Sequence, residues 1–363
     1  MDIAVVGCGY WGPNHIRNLH ALNRFRNILA CDTSDRQIER IRSLYPYVLA
    51  TDRYELVLEK EDVRAVVICT PVKTHYDLAR AALLAGKHVL IEKPMAATSE
   101  ECESLCTLAE ERGLVLMVGH TFEYSPAVSK VREIIRSGEL GSLVYLSFSW
   151  LNLGPYRPDI NVVWDLAPHQ VSILLHVLDK NPTEVKAEGR AHYRPGIEDV
   201  AFAALRFDTG EVAFLQVSWV DPCKARRVTV VGTRKMLVFD DVEINEKIKI
   251  YDKGIDIPPH YETFADFHFS YRYGDIHIPR IEDQEPLKLE CQHFVECIEG
   301  GSRPRSDGRS GRRVVALLEA ICASMQRNGT RVRLRREERA PQKKTAREGV
   351  RSPLPASRPF GAA

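Results

Sequence analysis

A glycine-rich segment follows directly on the first apolar run of the chain. The run Asp2–Val6 has the composition of a buried strand, and Gly7–Gly12 (GCGYWG) then supplies the spacing G-x-G-x-x-G ahead of a helical stretch. In a strand–turn–helix unit, Gly7 permits the tight turn, Gly9 lets the backbone approach a pyrophosphate, and Gly12 lets helix and strand pack closely. The spacing alone is weak, but in this context it predicts a dinucleotide-binding loop.

An acidic residue ends the second predicted strand, Ile28–Asp32. Asp32 comes twenty residues after the last glycine of the loop, where this fingerprint places a carboxylate on the ribose hydroxyls of the adenosine. A 2′-phosphate would face that negative charge, so the sequence predicts NAD in preference to NADP. Arg36 either softens this preference or is an ordinary solvated helix residue. Tyr10 and Trp11 complete the predicted cofactor loop.

Further polar residues follow two later strands, Ala65–Thr70 and His88–Glu92. They are Thr70-Pro71, His75, and Glu92-Lys93-Pro94. Because ligands of open parallel sheets bind beyond the carboxyl ends of the strands, we expect all of these positions to border the nicotinamide. The ammonium of Lys93 could stabilise an alkoxide that develops on a substrate, although a lone lysine of this kind is ordinarily a surface residue.

A third group of reactive residues lies near the middle of the chain. The segment Trp164-Asp165-Leu166-Ala167-Pro168-His169 opens a predicted helix that continues to Leu178. The histidine suits proton removal from a secondary alcohol because it titrates near neutral pH. Asp165 could orient the ring of His169 or hold the reacting hydroxyl. The alternatives are a helix cap for Asp165 and a buried structural histidine.

The elements that must position these residues predict an α/β protein with two domains. Strands alternate with helical stretches such as Asp35–Leu44 up to residue 122, which predicts a doubly wound parallel sheet in residues 1–122. Closely spaced strands follow, including Val200–Phe207, Val212–Trp219 and Arg226–Gly232. They favour a large, mostly antiparallel sheet in a substrate-binding and oligomerisation domain over residues 123–334.

Composition excludes several other classes of protein. The formal net charge is +1, and residues 335–363 hold eight basic and three acidic side chains. The rest of the chain is therefore mildly acidic, which is unlike a nucleic-acid binder. We expect that tail to be disordered. The nine cysteines show no metal-ligand spacing and are interpreted as reduced. No apolar run reaches membrane-spanning length, and we expect a cytoplasmic location with no membrane partner.

The order of the motifs resembles the Gfo/Idh/MocA family of sugar and cyclitol dehydrogenases. G-x-G-x-x-G is followed by Thr-Pro and His, then by Glu-Lys-Pro, then by Asp-x-x-x-His, and the resemblance spans residues 1–334. It implies Lys93, Asp165 and His169 as the catalytic group, with Lys93 also touching the nicotinamide ribose. It further implies a cis Lys93-Pro94 peptide and a homodimer or homotetramer formed through the open face of the second sheet. Trp164 and Pro168 depart from the glycines that the family commonly has there.

The sequence says less about the substrate than about the cofactor and the catalytic group. The loop 151–163 offers Asn152, Tyr156, Arg157, Asp159 and Asn161 for hydroxyls and an anion, or is an ordinary polar loop. We also expect Tyr124 at the substrate, as an alternative proton acceptor. The segment before His169 is similar to family members that act on carbon-3 of nucleotide-linked sugars. Alternatives are an inositol or free-sugar dehydrogenase, a 3-ketosugar reductase, a glycosidase that holds NAD, a sugar sensor without catalysis, and an interaction protein acting through its tail.

Overall fold

A computed structural model of the protein describes residues 1–256 and 270–334. The predicted disordered tail, residues 335–363, lies outside this described part. Two sheets organise the described chain, one of six strands and one of nine. No helix in the ranges described is both long and apolar enough to cross a membrane.

The six-stranded sheet has the strand order β3-β2-β1-β4-β5-β6, and all its pairs are parallel. This is the order of a dinucleotide-binding sheet, as the sequence predicted. Its strands are β1 (Asp2–Val6), β2 (Ile28–Cys31), β3 (Leu49–Thr51), β4 (Val63–Ile68), β5 (His88–Glu92) and β6 (Leu116–Gly119). Its helices are α1 (Gly12–Ala21), α2 (Asp35–Leu44), α3 (Tyr54–Glu59), α4 (His75–Leu84) and α5 (Ser99–Glu111).

The nine-stranded sheet follows in the chain and is mixed. Its order is β14-β13-β12-β11-β7-β10-β9-β8-β15, and β7 pairs in parallel with β10 while the other pairs are antiparallel. The strands are β7 (Leu143–Leu153), β8 (Glu184–Arg190), β9 (Val200–Arg206), β10 (Val212–Ser218), β11 (Val220–Gly232), β12 (Met236–Asp240), β13 (Ile248–Asp256), β14 (Ser270–His277) and β15 (Val332–Arg333). The predicted mostly antiparallel sheet is therefore confirmed, with one parallel pair that the spacing did not reveal.

In the part of the chain that the structure describes, helices cover one face of this second sheet and leave the other open. They are α6 (Pro126–Ser137), α7 (Val162–Leu178) and α9 (Gly308–Gln326), whose apolar residues share one buried cluster with the inward side chains of the strands. Along β10, Ala213, Leu215 and Val217 are buried against these helices, whereas Phe214 between them is exposed. The two-residue alternation therefore records which face the helices cover.

The segment Trp164–His169 was predicted to open the helix that contains His169, and the structure places the start of this helix two residues earlier. Helix α7 starts at Val162, because the side chain of Asn161 accepts a hydrogen bond from the backbone N–H of Trp164 at 3.2 Å and caps the first turn. Asp165 lies in that first turn, and Pro168 lies inside the helix. Asn161 is thus a capping residue rather than part of a free loop.

Helix α8 (Pro286–Gly300) returns to the parallel sheet although it follows the second sheet in sequence. Its residues Leu287, Cys291 and Phe294 share a buried cluster with Ile3 and Val5 of β1. Its first turn therefore lies beside the carboxyl ends of the parallel strands. The sequence predicted a domain boundary between residues 122 and 123. This boundary remains a proposal for the point at which the chain first passes from the parallel sheet to the second sheet.

Candidate active site

The glycine loop has the geometry of a phosphate-binding turn. Gly7 has a φ of +91°, and a Cβ on it would lie 2.7 Å from the carbonyl carbon of Cys69. A Cβ on Gly12 would overlap the carbonyl oxygen of Gly7. A Cβ on Gly9, in contrast, would meet no atom within 4 Å. Gly7 and Gly12 are therefore required by the fold, while Gly9 leaves open space ahead of the N-terminus of α1, where a pyrophosphate would fit.

Asp32 lies beside this loop at the end of β2. Its Oδ2 accepts a hydrogen bond from the Cys8 N–H at 2.6 Å, and its Oδ1 accepts one from the Ser34 N–H at 2.8 Å. The two backbone bonds fix the plane of the carboxylate, and each oxygen keeps a lone pair for a further donor. This arrangement fits a carboxylate that receives ribose hydroxyls and repels a 2′-phosphate.

His75 ties two strand ends together beneath the cleft. Its ring is 1% exposed, with Nδ1 lying 2.9 Å from the carbonyl oxygen of Pro94 and Nε2 lying 2.7 Å from that of Thr70. Both ring nitrogens are occupied by backbone oxygens. His75 consequently holds the loops after β4 and β5 in place, and its nitrogens are not available to the cofactor. Pro71 follows Thr70 at an exposed position at the start of a short 3-10 helix.

Glu92 at the end of β5 forms a buried pair that the sequence did not predict. His15 on α1 is fully buried, and its Nε2 donates to Oε1 of Glu92 at 2.9 Å. The other carboxylate oxygen lies 3.2 Å from the N–H of Lys93. Although burial opposes ionisation, these bonds and the charges of His15 and Lys93 hold the pKa of Glu92 below its ordinary value. An anionic charge therefore lies directly behind the predicted catalytic lysine.

Lys93 reaches across from the parallel sheet to helix α7. The Lys93-Pro94 peptide is cis, which confirms the expectation drawn from the family resemblance. The ammonium donates to the backbone carbonyl of Asp165 at 3.0 Å. Burial lowers the pKa of Lys93, and the negative charges of Asp165 and Glu92 oppose that shift. The lysine is thus a half-buried cation with partners on both halves of the molecule.

The carboxylate of Asp165 points to the second sheet. Its Oδ2 accepts a hydrogen bond from Nε1 of Trp219 at 3.0 Å, and Trp219 is 1% exposed. No hydrogen bond joins this carboxylate to the ring of His169, because Nδ1 of that ring has no partner in the described part of the chain. The contacts of Asp165 therefore connect it to Lys93 and to Trp219 rather than to the imidazole.

His169 lies one helical turn beyond Asp165 on α7. Its ring packs edge-on against Phe122, with the ring centroids 5.1 Å apart. Burial lowers the pKa of His169 well below its ordinary value, and the positive charges of Lys93 and Arg226 act in the same direction. The imidazole is therefore neutral at neutral pH, the state that can accept a proton.

Lys93 and His169 open onto one cavity of about 390 Å³. Tyr10, Trp11 and Glu92 line it from the predicted cofactor side. Further lining residues come from the 3-10 helix before α6, from β11 and the turn after β12, and from the start of α8: Thr121, Phe122, Arg226, Asp241, Glu285, Pro286 and Leu287. The volume lies in the range typical of small-ligand sites.

Three of the predicted substrate residues lie away from this cavity. Tyr124 is 3% exposed, and its hydroxyl donates to Oγ of Ser306 at 2.9 Å, since Ser306 itself donates to a backbone carbonyl. Asn152 packs against Gly154. Arg157 is exposed, although its charge contributes to lowering the pKa of Lys93. Their predicted roles at the substrate remain proposals, and no direct contact to the cavity supports them.

Four residues of the site lacked an obvious signal. His15 stands three positions after Gly12, the spacing that turns a side chain toward the same helix face. In β11, Arg226 continues the two-residue spacing of the buried Val228 and Val230, which places it on the same helix-covered face. Trp219 and Phe122 read from the sequence as ordinary core aromatics. Periodicity could have indicated His15 and Arg226, whereas nothing in the sequence distinguished the two aromatic residues.

Two family models match the two parts of the chain separately. Residues 1–120 match a family model described as the oxidoreductase family GFO_IDH_MocA, with an NAD-binding Rossmann fold. Residues 128–238 match the GFO/IDH/MocA C-terminal domain. The chain belongs to the Gfo/Idh/MocA family. It is an NAD-dependent oxidoreductase of a family whose characterised relatives include sugar and polyol dehydrogenases acting on CH–OH groups.

Individual relatives within the family act on different substrates. The chain is 28% identical over 326 residues to a UDP-N-acetylglucosamine 3-dehydrogenase of Acidithiobacillus ferrooxidans, covering 87% of this chain and 94% of that protein. It is 27% identical over 316 residues to an NAD-dependent scyllo-inositol 2-dehydrogenase of Bacillus subtilis, covering 83% and 87%.

Solved structures agree on the fold. The structure of the UDP-N-acetylglucosamine 3-dehydrogenase GnnA of A. ferrooxidans is similar with a TM-score of 0.73 at 27% identity, covering 90% of this chain and 98% of that one. Levoglucosan dehydrogenase in complex with NADH and levoglucosan has a TM-score of 0.76 at 18% identity, covering 92% and 99%. The second likeness concerns the fold alone.

Replacing Gly9 or Gly12 of the loop by alanine adds the same methyl group, and we expect different consequences at the two positions. Gly12→Ala should destabilise the protein by ~1–3 kcal/mol, because the new Cβ collides with the Gly7 backbone. Gly9→Ala should leave the melting temperature unchanged and weaken NAD binding, because its Cβ occupies the open space of the cleft. Thermal melts and NAD titrations followed by tryptophan fluorescence would check both, and normal NAD affinity in the Gly9 variant would contradict the assigned phosphate site.

Proposed function

We propose that the protein transfers hydride between NAD and carbon-3 of a nucleotide-linked sugar. The observation that carries this proposal is the joint position of Lys93 and His169 on one cavity beside the glycine loop. The match along nearly the whole length of a UDP-N-acetylglucosamine 3-dehydrogenase supports the substrate class. A retained pair of polar residues in a ligand-sized cavity argues against a sensor without catalysis.

The residues divide the work of alcohol oxidation between them. Bound NAD supplies the hydride acceptor, and the glycine loop, Asp32 and the residues after β4 and β5 hold it. The neutral imidazole of His169 takes the hydroxyl proton, while the ammonium of Lys93 stabilises the negative charge on the substrate oxygen. Asp165 keeps Lys93 charged and in position, through its carbonyl and its negative charge.

A substrate screen tests the proposed reaction directly. Purified protein with NAD should produce NADH, followed at 340 nm, with UDP-N-acetylglucosamine or its uronate, and more slowly with myo-inositol or free hexoses. Net NADH formation also separates a dehydrogenase from a glycosidase that oxidises its substrate only transiently. Turnover confined to inositols would replace the proposed function with a polyol dehydrogenase.

The catalytic roles predict slow but folded variants. His169→Ala and Lys93→Ala should lower turnover ~10²–10⁴-fold and leave NAD affinity near normal, because both side chains act mainly in the transition state. His20→Ala, an exposed histidine on α1, is the matched control and should keep full activity. If His169→Ala retained normal turnover, the proton acceptor would have to be another residue.

The pH dependence of the oxidation rate tests the same roles of His169 as proton acceptor and Lys93 as ammonium. The rate should rise with pH as His169 loses its proton, and this rise should lie below the ordinary histidine value of 6.5 because burial lowers its pKa. It should fall again as Lys93 loses its proton, below the ordinary value of 10.5. In Asp165→Asn the alkaline fall should move to lower pH, since a negative charge that favours the ammonium is removed. An unchanged alkaline limb would argue against this role of Asp165.

We further propose that the protein is a homodimer or a tetramer built from such dimers. The face of the second sheet that lacks helices, here named the open face, carries Tyr145, Phe202, Phe214, Val231 and Val238. Phe202 is 52% exposed, Phe214 47% and Tyr145 37%, and the rings of Tyr145 and Phe214 are 6.3 Å apart. A contiguous exposed apolar surface of this kind is typical of an interface.

Light scattering at micromolar concentration should therefore report an oligomer. Phe214→Asp should dissociate it, because the carboxylate would be buried without a partner in the interface. Leu44→Asp, at an equally exposed leucine on α2 of the parallel half, is the control and should leave the assembly intact. A monomeric wild-type protein would refute the proposed interface.

A further inference from the structure

Arg226 occupies a position at which strand β11 otherwise carries buried apolar residues. In β11, Val228 and Val230 are buried against the helices, and Arg226 lies two residues before them, so it projects from the same face. Its register partner on β7 is Trp150, which is 2% exposed. Charged side chains on a covered face are rare unless a partner or a ligand accounts for them.

The position of Arg226 in the cavity gives this charge a chemical context. Arg226 lines the same cavity as Lys93 and His169, and its charge contributes to lowering the pKa of both. Arg17 and Glu285, which also line the cavity, form an ion pair with each other. Apart from that ion pair, Lys93 and Arg226 are the Lys and Arg cations among the residues that line the cavity, and Arg157 acts on the pKa of Lys93 without lining it.

The contact of Arg226 within the described chain is a loose one. Its Nη1 lies 3.4 Å from Oδ2 of Asp241, and 40% of the arginine side chain is exposed. Asp241 also lies 3.7 Å from the ammonium of Lys247. The next residue offers a direct comparison, because Arg227 on the open face holds Asp240 at 2.9 and 3.1 Å. The other donors of Arg226 have no hydrogen-bond partner among the described residues, and Arg226 lines the cavity, whereas Arg227 is engaged by its carboxylate.

We propose that Arg226 is a specificity-determining residue that binds an anionic group of the substrate, a phosphate or a carboxylate. A guanidinium offers several donors in a plane and pairs with both kinds of oxyanion through two parallel hydrogen bonds. The proposal rests on the proposed function, since a nucleotide-linked sugar carries phosphates and its uronate form adds a carboxylate. It goes beyond that function because it assigns recognition of the anion to one side chain of the second sheet.

Binding measurements on the NADH-loaded full-length protein test this assignment without turnover. The probes are UDP, D-glucuronate and the neutral ligand myo-inositol, titrated calorimetrically into the wild type and Arg226→Gln. We expect Arg226→Gln to weaken binding of UDP, D-glucuronate or both by about 10- to 100-fold and to leave myo-inositol unchanged, as for loss of a charged hydrogen bond. Loss for UDP alone identifies the phosphate as the group bound, and loss for D-glucuronate alone identifies the carboxylate.

Two controls separate recognition from structure. Arg227→Gln removes the adjacent arginine on the opposite face and should change none of the three affinities. Asp241→Asn removes the carboxylate near Arg226, and thermal melts would reveal whether that contact matters for stability. Equal weakening of charged and neutral ligands in Arg226→Gln, unchanged anion binding, or loss confined to NADH affinity would overturn the proposal.

Failure of this inference is distinguishable from failure of the proposed function. If Arg226→Gln loses affinity for an anion while no nucleotide-linked sugar is oxidised, anion recognition stands and the proposed reaction fails. If UDP-N-acetylglucosamine and its uronate are both oxidised equally well by the wild type and by Arg226→Gln, the reaction stands and the inference is overturned. If neither anionic probe binds the wild type, Arg226 does not recognise an anion in this cavity.

Discussion

Among the described residues, a hydrogen bond from the ammonium of Lys93 to the carbonyl of Asp165 joins the two halves of the site. Lys93 follows β5 of the parallel sheet, and Asp165 lies in the first turn of α7, which packs against the second sheet. The position of this half-buried charge is therefore set by both sheets at once. Displacing either one would move the lysine relative to the glycine loop, and transition-state stabilisation is sensitive to shifts of about an ångström.

Keeping that lysine charged inside the protein requires nearby anions. Glu92 lies directly behind it and is itself held ionised by the fully buried His15. Asp165 supplies the second negative charge, and Trp219 fixes its carboxylate. Buried charges of this kind are costly unless each is paired and hydrogen-bonded. The residues His15, Glu92, Lys93, Asp165 and Trp219 reduce that cost by alternating hydrogen-bond donors and acceptors from α1 to the second sheet.

The sequence predicted the parts of this arrangement that local chemistry specifies. Gly7 and Gly12 were predictable because the tight turn and the close helix leave no room for a side chain, and the alternation in β10 revealed which residues are buried. The exact start of α7 was not, since the helix begins two residues before the predicted segment, where the side chain of Asn161 caps it. Tyr124 was expected at the substrate, but its hydroxyl is directed at Ser306 by a contact 182 residues away in sequence. Such long-range partners leave no periodic signal in the chain.

The site must also keep two basic groups in opposite protonation states. Lys93 has to remain an ammonium, whereas His169 has to remain a neutral imidazole, although both are half-buried and burial favours the neutral form of each. The difference lies in their neighbours. Lys93 is flanked by Glu92 and Asp165, which favour its charged form. The charges that act on His169 are those of cations, and the carboxylate of Asp165 turns away to Trp219.

This separation explains why Asp165 is more useful as a partner of the lysine than of the histidine. A carboxylate bonded to Nδ1 of His169 would favour the imidazolium and make the base protonated before reaction, at a pH where it must accept a proton. Because the negative charge of Asp165 acts on Lys93, it favours the ammonium that stabilises the substrate oxygen. It does so without raising the pKa of His169. Lys93 can then stabilise a negative charge while His169 accepts a proton within one cavity.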